Sequence, residues 1–508
     1  MKNNHISHRI RLLIPFLLMP LLFWSCTDLD ETIFSQATPE NFYGTEDELI
    51  AAVMPVYANL RDYTFGDYSQ TQEVSSDEIV VPTRGGDWDD GGVWRALQEH
   101  TWTSTHGQVN GVWTSAFRGI ARANSTLENL GKSTSDSDLI PTFMAEVQFL
   151  RAFYYWWLVD LFGGVPIVTA ATTDPDNPPS PSTRTQVFDF IVTEINEALP
   201  GLEDASTLGA AGYGRVSKGA AHAMLATLYL NAEVYTGTAM WSECVAECNA
   251  VINSGTYELI ANYPDIFALE NEGPGNTENI FVVGHLAQPG VGFNRHMATL
   301  HYNQIPSNPW NGFAVLADFY NAFDADDVRL NQLLVGQQFV LGGPAAGDSA
   351  LDRQDNPLFF TVEFPLFGAT EGDGVRMLKW PVDPNMSGGD AGDDMPIFRY
   401  AHILLAKAEA QLRLGNTADA LDLVNQVRAR AFEPDKPLTA ITLDDILAER
   451  GFELFWENYR RQDQIRHGKY LDKWTLKDAN TADTFRRIFP IPQIQMDANP
   501  NLVQNPGY

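Results

Sequence analysis

The chain has 508 residues, 44% of them hydrophobic and only 19% charged, the composition of a folded globular protein with ample material for a large core. Its 65 Asp and Glu against 33 Lys and Arg give a formal charge of −32, a field that repels phosphate backbones and anionic membrane faces and argues against a nucleic-acid partner.

In chain order, the first element is a targeting segment. Lys2, Arg9 and Arg11 flank an apolar run from Leu12 to Trp24 that is shorter than the roughly 20 residues a membrane span requires, so residues 1–25 read as a cleaved signal peptide. Ser25-Cys26 follows at once, and a cysteine in that place is where a lipoprotein signal peptidase cuts and a diacylglyceryl group is attached. Cys26 is therefore the expected lipidated N-terminus, opening a tether over residues 26–43; the bland alternative is an ordinary signal peptide with an incidental cysteine.

Thr45-Glu46-Asp47-Glu48 is a capping box that opens a helix through Ala51, Val53, Val56, Tyr57 and Leu60. From Tyr63 to about Gln108 the helical period vanishes into Gly, Asp, Thr and Trp, which predicts an irregular insertion. The period returns at Trp113, Phe117, Ile120, Asn124 and Leu127, then after Pro141 through Phe149 to Trp157, and again at Val187, Ile191, Ile195 and Leu199. Two helical hairpins follow. One pairs Ala221, Leu225, Leu228 and Ala232 with Trp241, Cys244, Cys248 and Val251; the other pairs Ile397, Ala401, Leu404, Ala408 and Leu412 with Ala420, Val424, Val427 and Ala431. Between them, residues 257–394 predict loops, short strands such as Ile280-Phe281-Val282-Val283, and few helices. The expectation is a mainly α fold in one domain over residues 44–508, with tetratricopeptide-type hairpins stacked as a scaffold. The insertions at about 63–108 and 257–394 are then its candidate working surface. Cys244 and Cys248, four apart on one helix face, are expected as small core residues, although export permits a disulfide.

Sugars in water are held by aromatic faces stacked on the apolar side of the ring, with Asn, Asp, Gln and Arg reading hydroxyls at the rim. Such a site requires Trp and Tyr set in polar loops that cannot bury them. The window from Pro82 to Trp94, with Arg84, Asp87 and Trp88, is one such place; Tyr302-Asn303-Gln304 with Asn308-Pro309-Trp310-Asn311-Gly312 is the second. Trp113, Trp156, Trp157 and Trp456 fall at apolar helical spacing and are expected in the core. Lys and Arg are scarce in both windows, so a neutral or weakly charged oligosaccharide is expected; alginate or a sulfated polymer would need Arg84 with Arg95 or Arg295 to reverse the local sign.

Catalytic signatures are missing from the sequence. Glu449, Glu453 and Glu457 form an i, i+4, i+8 row without the histidines of a di-metal bundle, and salt bridges to Arg450, Arg460 or Arg399 are the expected use. The glycine-rich stretch around Gly212 to Gly219 fails the phosphate-loop spacing and offers Ser217 as an N-cap. No G-x-S-x-G elbow or H-E-x-x-H helix occurs. A glycoside hydrolase is the competing class, with Asp87, Asp89 and Asp90 as its possible carboxylates, on a loop that desolvates them little. One loop has metal-ligand spacing: Asp383, Asn385 and Ser387 stand at positions one, three and five, Gly388 at six and Asp394 at twelve, an EF-hand register that suggests structural calcium, against a solvated turn.

Several motifs, in order, carry a family likeness. They are Thr38-Pro39-Glu40-Asn41-Phe42-Tyr43, Phe149-Leu150-Arg151-Ala152 with Phe162-Gly163-Gly164-Val165-Pro166, Arg399-Tyr400-Ala401 with Leu405-Ala406-Lys407-Ala408-Glu409-Ala410, Glu449-Arg450, and the ending Phe489-Pro490-Ile491-Pro492 through Asn505-Pro506-Gly507-Tyr508. The chain resembles the SusD/RagB family over nearly all of its mature length. That resemblance implies a SusD-like fold, a lipid anchor facing the cell exterior at the outer membrane, no catalytic activity, and capture of a glycan for a SusC-like TonB-dependent transporter. Capture of peptides or glycoproteins, as some members perform, is the nearby alternative. Asp28, Asp30 and Glu31 after Cys26 resemble the signal that sends Bacteroidetes lipoproteins to the outer face. By place in the chain Trp88, Trp310 and Tyr302 resemble the family's stacking arc, with Trp94 beside it and Arg84, Asp87, Asn303 and Asn311 as its polar rim.

Overall fold

The computed structural model describes residues 45–133 and 137–508; the signal segment, Cys26 and the tether to residue 44 lie outside the described residues. The first helix, Glu46–Ala58, begins where the capping box places it, with Thr45 accepting from Glu48 N and Glu48 accepting from Thr45 N. Two long helices, Gly107–Lys132 and Leu139–Leu161, pack along each other. The second is apolar nearly all round. Phe149, Phe153, Trp156 and Trp157 are each buried to 1% exposure or less, which makes it the central rod of the body. Arg184–Ala198, started by a Thr183–Gln186 capping box, packs on its other side.

The predicted hairpins form as Lys218–Leu230 with Trp241–Asn253 and Tyr400–Arg413 with Thr417–Arg428, and the two pairs meet through Trp241–Asn253 and Tyr400–Arg413. Ser217 caps the first of them by accepting from Ala220 N. Small residues at the contacts, Ala221, Ala401, Ala408 and Ala420, are fully buried and let the helix axes approach. Cys244 and Cys248 are buried and free. The architecture is mainly α, a stack of helical hairpins with loop-rich insertions.

Two expectations need correction. The second hairpin does not begin at Ile397: Met395–Arg399 is a strand, paired antiparallel with Asn279–Val283, and the helix begins at Tyr400. Its partner lies more than a hundred residues upstream, so no local pattern reveals it. The 63–108 insertion is also less irregular than its composition suggests, because it contains helices Arg61–Phe65, Asp67–Val74 and Val93–Gln98. Asp67–Val74 has no apolar stripe since its buried side chains are mostly polar, and distant parts of the chain satisfy them. Ser69 donates to Asn458 Oδ1 at 2.8 Å, Gln72 to Asp160 Oδ2 at 2.8 Å, and Glu73 accepts from Asn458 N at 2.7 Å.

The glutamate row ties the 257–394 insertion to the helical body. Glu449 and Glu453 pair with Arg329 at 2.7 and 3.1 Å, and Glu457 pairs with Arg399 at 2.8 Å and Lys379 at 2.5 Å. Arg430 adds a 2.7 Å contact to Glu453. Of the three expected partners only Arg399 is used, since Arg450 pairs with Asp463 and Arg460 with Asp77.

Candidate functional site

The first tryptophan window folds as a tight turn. Arg84 N donates to Asp87 O and Asp87 N to Arg84 O, both at 2.9 Å, leaving Gly85 and Gly86 at the tip with Gly85 at φ +61°. Trp88 follows with φ +64°, a left-handed backbone that costs a bulky residue about 1–3 kcal/mol and persists only where the surroundings fix it. Two contacts fix it here. Its Nε1 donates to Trp310 O at 2.9 Å, and its ring lies so close over Gly312 that a Cβ there would come 2.4 Å from ring Cζ2. Phe313 meets the same ring edge-on at 5.8 Å.

The second window supplies Trp310, 40% exposed and backed by Phe65 at 6.0 Å. Asn308 and Asn311 on either side also have positive φ, +55° and +54°, a conformation asparagine tolerates better than most residues. Tyr302 joins the windows by donating its hydroxyl to Asp87 Oδ2 at 3.1 Å. Partial burial and the neighbouring Asp87 raise the Tyr302 phenol above its ordinary pKa, so it stays a donor. Asn303 is exposed and donates to Leu351 O at 2.8 Å. Trp310, Trp88, Asp87, Tyr302 and Asn303 therefore form one continuous face.

Three of the expected residues do not belong to it. Trp94 is only 7% exposed; it sits on helix Val93–Gln98, bonds Asp90 through Nε1 at 2.7 Å and packs edge-on against Phe313 at 5.4 Å, so it plugs the loop onto the body. Arg84 is buried, its Nη1 held by Thr370 O and Asp373 O at 2.7 Å each, and burial pushes its pKa down to about 10. Asn311 is fully buried and braces Arg376, accepting at 2.9 Å from Nη2 while its Nδ2 donates to Glu371 O. In each case the polar context that suggested exposure is protein from another segment. The same holds for the cations that an anionic polymer would need: Arg295 is in the core bonded to Thr64 O, and Arg95 lies over the Phe367 ring at 4.4 Å.

One cation does reach the face. Arg353 spreads over the Tyr302 ring at 4.5 Å and donates Nε to Glu371 Oε2 at 2.8 Å. Burial alone would raise the Glu371 carboxyl, but hydrogen bonds from His301 and Arg353 hold it below its ordinary pKa. Arg353 lies in the polar run Asp352-Arg353-Gln354-Asp355-Asn356, which reads like any solvated turn, and only its tertiary position singles it out.

The EF-hand register is not realised. Asp383 spends both carboxylate oxygens on its own loop, accepting from Asn385 N at 2.7 Å and Gly392 N at 2.8 Å, while Asp394 accepts from the Tyr213 hydroxyl at 2.7 Å. Asn385 is exposed and Ser387 closes a turn with Asp390 through the backbone. Among the described residues no group of three or more His, Cys, Asp or Glu is placed to hold a metal ion.

A stack of helical hairpins whose insertions join in an exposed aromatic face defines the class of protein. Residues 368–508 match the model described as "SusD family", and residues 47–230 that described as "Starch-binding associating with outer membrane". The chain belongs to the SusD/RagB family. Among its relatives are the starch-binding protein SusD of Bacteroides thetaiotaomicron, 25% identical with 72% of each chain covered, and SusD-like protein P2 of Formosa agariphila, 24% identical over 97% of this chain and 99% of that one. Solved structures of the same fold include a laminarin-binding SusD-like protein, with TM-score 0.73 and 24% identity over 92% of this chain and 100% of that one. Surface glycan-binding protein A of B. thetaiotaomicron with laminarihexaose matches at TM-score 0.74 and 22% identity, over 91% of this chain and 99% of that one. Among the described residues no helix is long and apolar enough to cross a membrane.

Proposed function

We propose that this chain captures a neutral oligo- or polysaccharide at the cell surface without cleaving it. In this reading it is held at the outer membrane by lipid on Cys26 and passes its ligand to a SusC-like TonB-dependent transporter. The observation that carries the reading is the continuous face of Trp310, Trp88 and Tyr302, on which backbone strain at Trp88 is maintained by tertiary contacts. Strain kept in this way is a mark of a working surface. The names of the relatives, starch-binding and laminarin-binding, support a glycan as the ligand.

Charge favours a neutral sugar. Arg353 has Glu371 and Asp87 as its charged neighbours, with Asp352 beside it in the chain, so a polyanion meets more repulsion than attraction. A hydrolase reading loses support as well: Asp87 and Asp90 already accept from Tyr302 and Trp94, and Asp87, Asp89 and Asp90 are exposed rather than desolvated. A glycan array followed by calorimetry on the hits tests the proposal. Binding that persists in high salt, with no new reducing ends on prolonged incubation, is the expected result; release of reducing ends or binding only to peptides would overturn it. Gentle detergent extraction from outer membranes should bring a large barrel down with this chain, and Cys26→Ala should release it from the membrane.

A further inference from the structure

Beside the Tyr302 end of the aromatic face the chain builds a small ribbon. Gly336–Gln337 pairs antiparallel with Phe359–Phe360, and bridges Phe339–Ser349 and Leu351–Pro357 extend the pairing through a third segment. Side chains alternate across such a ribbon. Gln338, Ala350, Leu358 and Phe360 point inward and are buried, whereas Phe339, Leu351 and Phe359 share the outer face at 49, 40 and 54% exposure. A soluble surface gains nothing from three large apolar groups on one side of so short an element, and such grouping marks a contact surface.

The turn of this ribbon encloses a cleft of about 530 Å³, within the size range of small-molecule sites. Phe359 forms an apolar wall, Arg353, Glu371, Gln354 and Thr370 supply polar groups, and Arg84 lies at the floor with Nε and Nη2 lacking any protein partner. The cleft is continuous with the aromatic face, because the Arg353 that lines it is the one spread over Tyr302. We propose that the cleft is a further sugar subsite, in which a neutral ring packs its apolar side on Phe359 and bonds Arg353 and Glu371, so that this chain reads an extended glycan running from Trp310 past Tyr302. The inference rests on the proposed glycan-binding function.

The test is calorimetry with two probe series, laminari- and malto-oligosaccharides from disaccharide to octasaccharide, on the full soluble chain and on Phe359→Ala, Arg353→Gln and Trp310→Ala. Phe359 is more than half exposed, so its truncation should leave the melting temperature unchanged, and the wild-type melt serves as the control. The expected result is that Trp310→Ala weakens every length that binds, that Phe359→Ala leaves the short sugars alone and weakens the long ones by about three- to tenfold, and that Arg353→Gln weakens the long sugars more than the short ones. Wild-type binding with identical length profiles in Phe359→Ala and Arg353→Gln would overturn the subsite and leave the parent reading standing. Tighter binding of an oligouronate of matched length than of either neutral series, lost in high salt and in Arg353→Gln, would assign the cleft to an anionic group and overturn the neutral ring. Failure of the wild type to bind any member of either series would overturn the parent reading for these glycans, and the subsite with it.

Discussion

The pair Trp156 and Trp157 and the pair Trp88 and Trp310 have the same chemistry and opposite fates. The first pair lies on a helix apolar all round and is sealed at 1% and 0% exposure. The second sits on turns whose backbone is strained and stays partly open, pinned by a single indole hydrogen bond and a glycine. In the helical body buried charges are met by opposite charges, as Arg399 by Glu453, and the polar helix Asp67–Val74 is bonded into the core through Ser69 and Gln72. The insertion face spends protein bonds on holding aromatic rings at the surface. Stability is therefore concentrated in one region and recognition in the other, and substitutions should separate the two.

The sharpest separation should come from Glu453→Ala. It leaves Arg329, Arg399 and Arg430 facing a buried gap, and removing one member of a buried ion pair costs about 3–5 kcal/mol. A large drop in the denaturation midpoint is expected, with ligand affinity per folded molecule retained; a shift under about 1 kcal/mol would mean the network is not what joins insertion to body.

Smaller, and opposite in pH sense to an ordinary acid denaturation, is the effect of the carboxyls around residue 393. Burial, together with Asp383 and Asp394, pushes Asp393 up to about 8, and burial with Asp393 and Asp394 pushes Glu272 up to about 9. The unfolded chain gives up these protons near pH 4, so between about pH 4 and pH 9 folding takes up protons and stability falls as pH rises. Thermal melts from about pH 5 to pH 9 should show this decline. Asp393→Asn, which cannot ionise, should flatten it by on the order of 2 kcal/mol, and parallel profiles in wild type and variant would remove the cluster as the titrating group.

Asn311→Ala tests whether a residue flanked by the face belongs to the body. Its side chain braces Arg376 and Glu371 in full burial, so about 1–3 kcal/mol of stability should be lost, with affinity changing less than in the exposed-ring variants. The smallest effects are on the face itself. Trp310→Ala should weaken glycan binding by about 1 kcal/mol with little change in the melt, and Gly312→Ala should do the same by pushing its Cβ into the Trp88 ring. A Gly312→Ala protein that binds as well as the wild type would show that Trp88 need not lie flat on residue 312.

Much of the body was legible because its signals are local. The capping box at Thr45, the 3.6-residue period from Phe149 to Trp157 and the spacing of small residues along each hairpin helix depend on residues a turn or two apart. The candidate face was legible in part. Tryptophans in glycine-rich loops drew attention to Trp88 and Trp310, and Asp87, Tyr302 and Asn303 do join them. Trp94, Arg84 and Asn311 have the same sequence context, yet each is covered, by Phe313, by the 370–373 loop and by Arg376 respectively. Conversely Arg353 and Phe359 gave no local sign of reaching the site.

By itself the sequence determined the periods of the long helices, the helix start at the Thr45 capping box, the mainly α class and the two stretches that hold the aromatic residues of the face. Only the tertiary structure decided which of those aromatics face out, which cation lies over Tyr302, and that the strand Met395–Arg399 replaces the first turn of a helix. The reason is range. A helix is closed by bonds four residues apart, whereas each of these outcomes depends on a partner tens to hundreds of residues away, as with the bond from Trp88 to Trp310, and contacts at that distance leave no period in the chain.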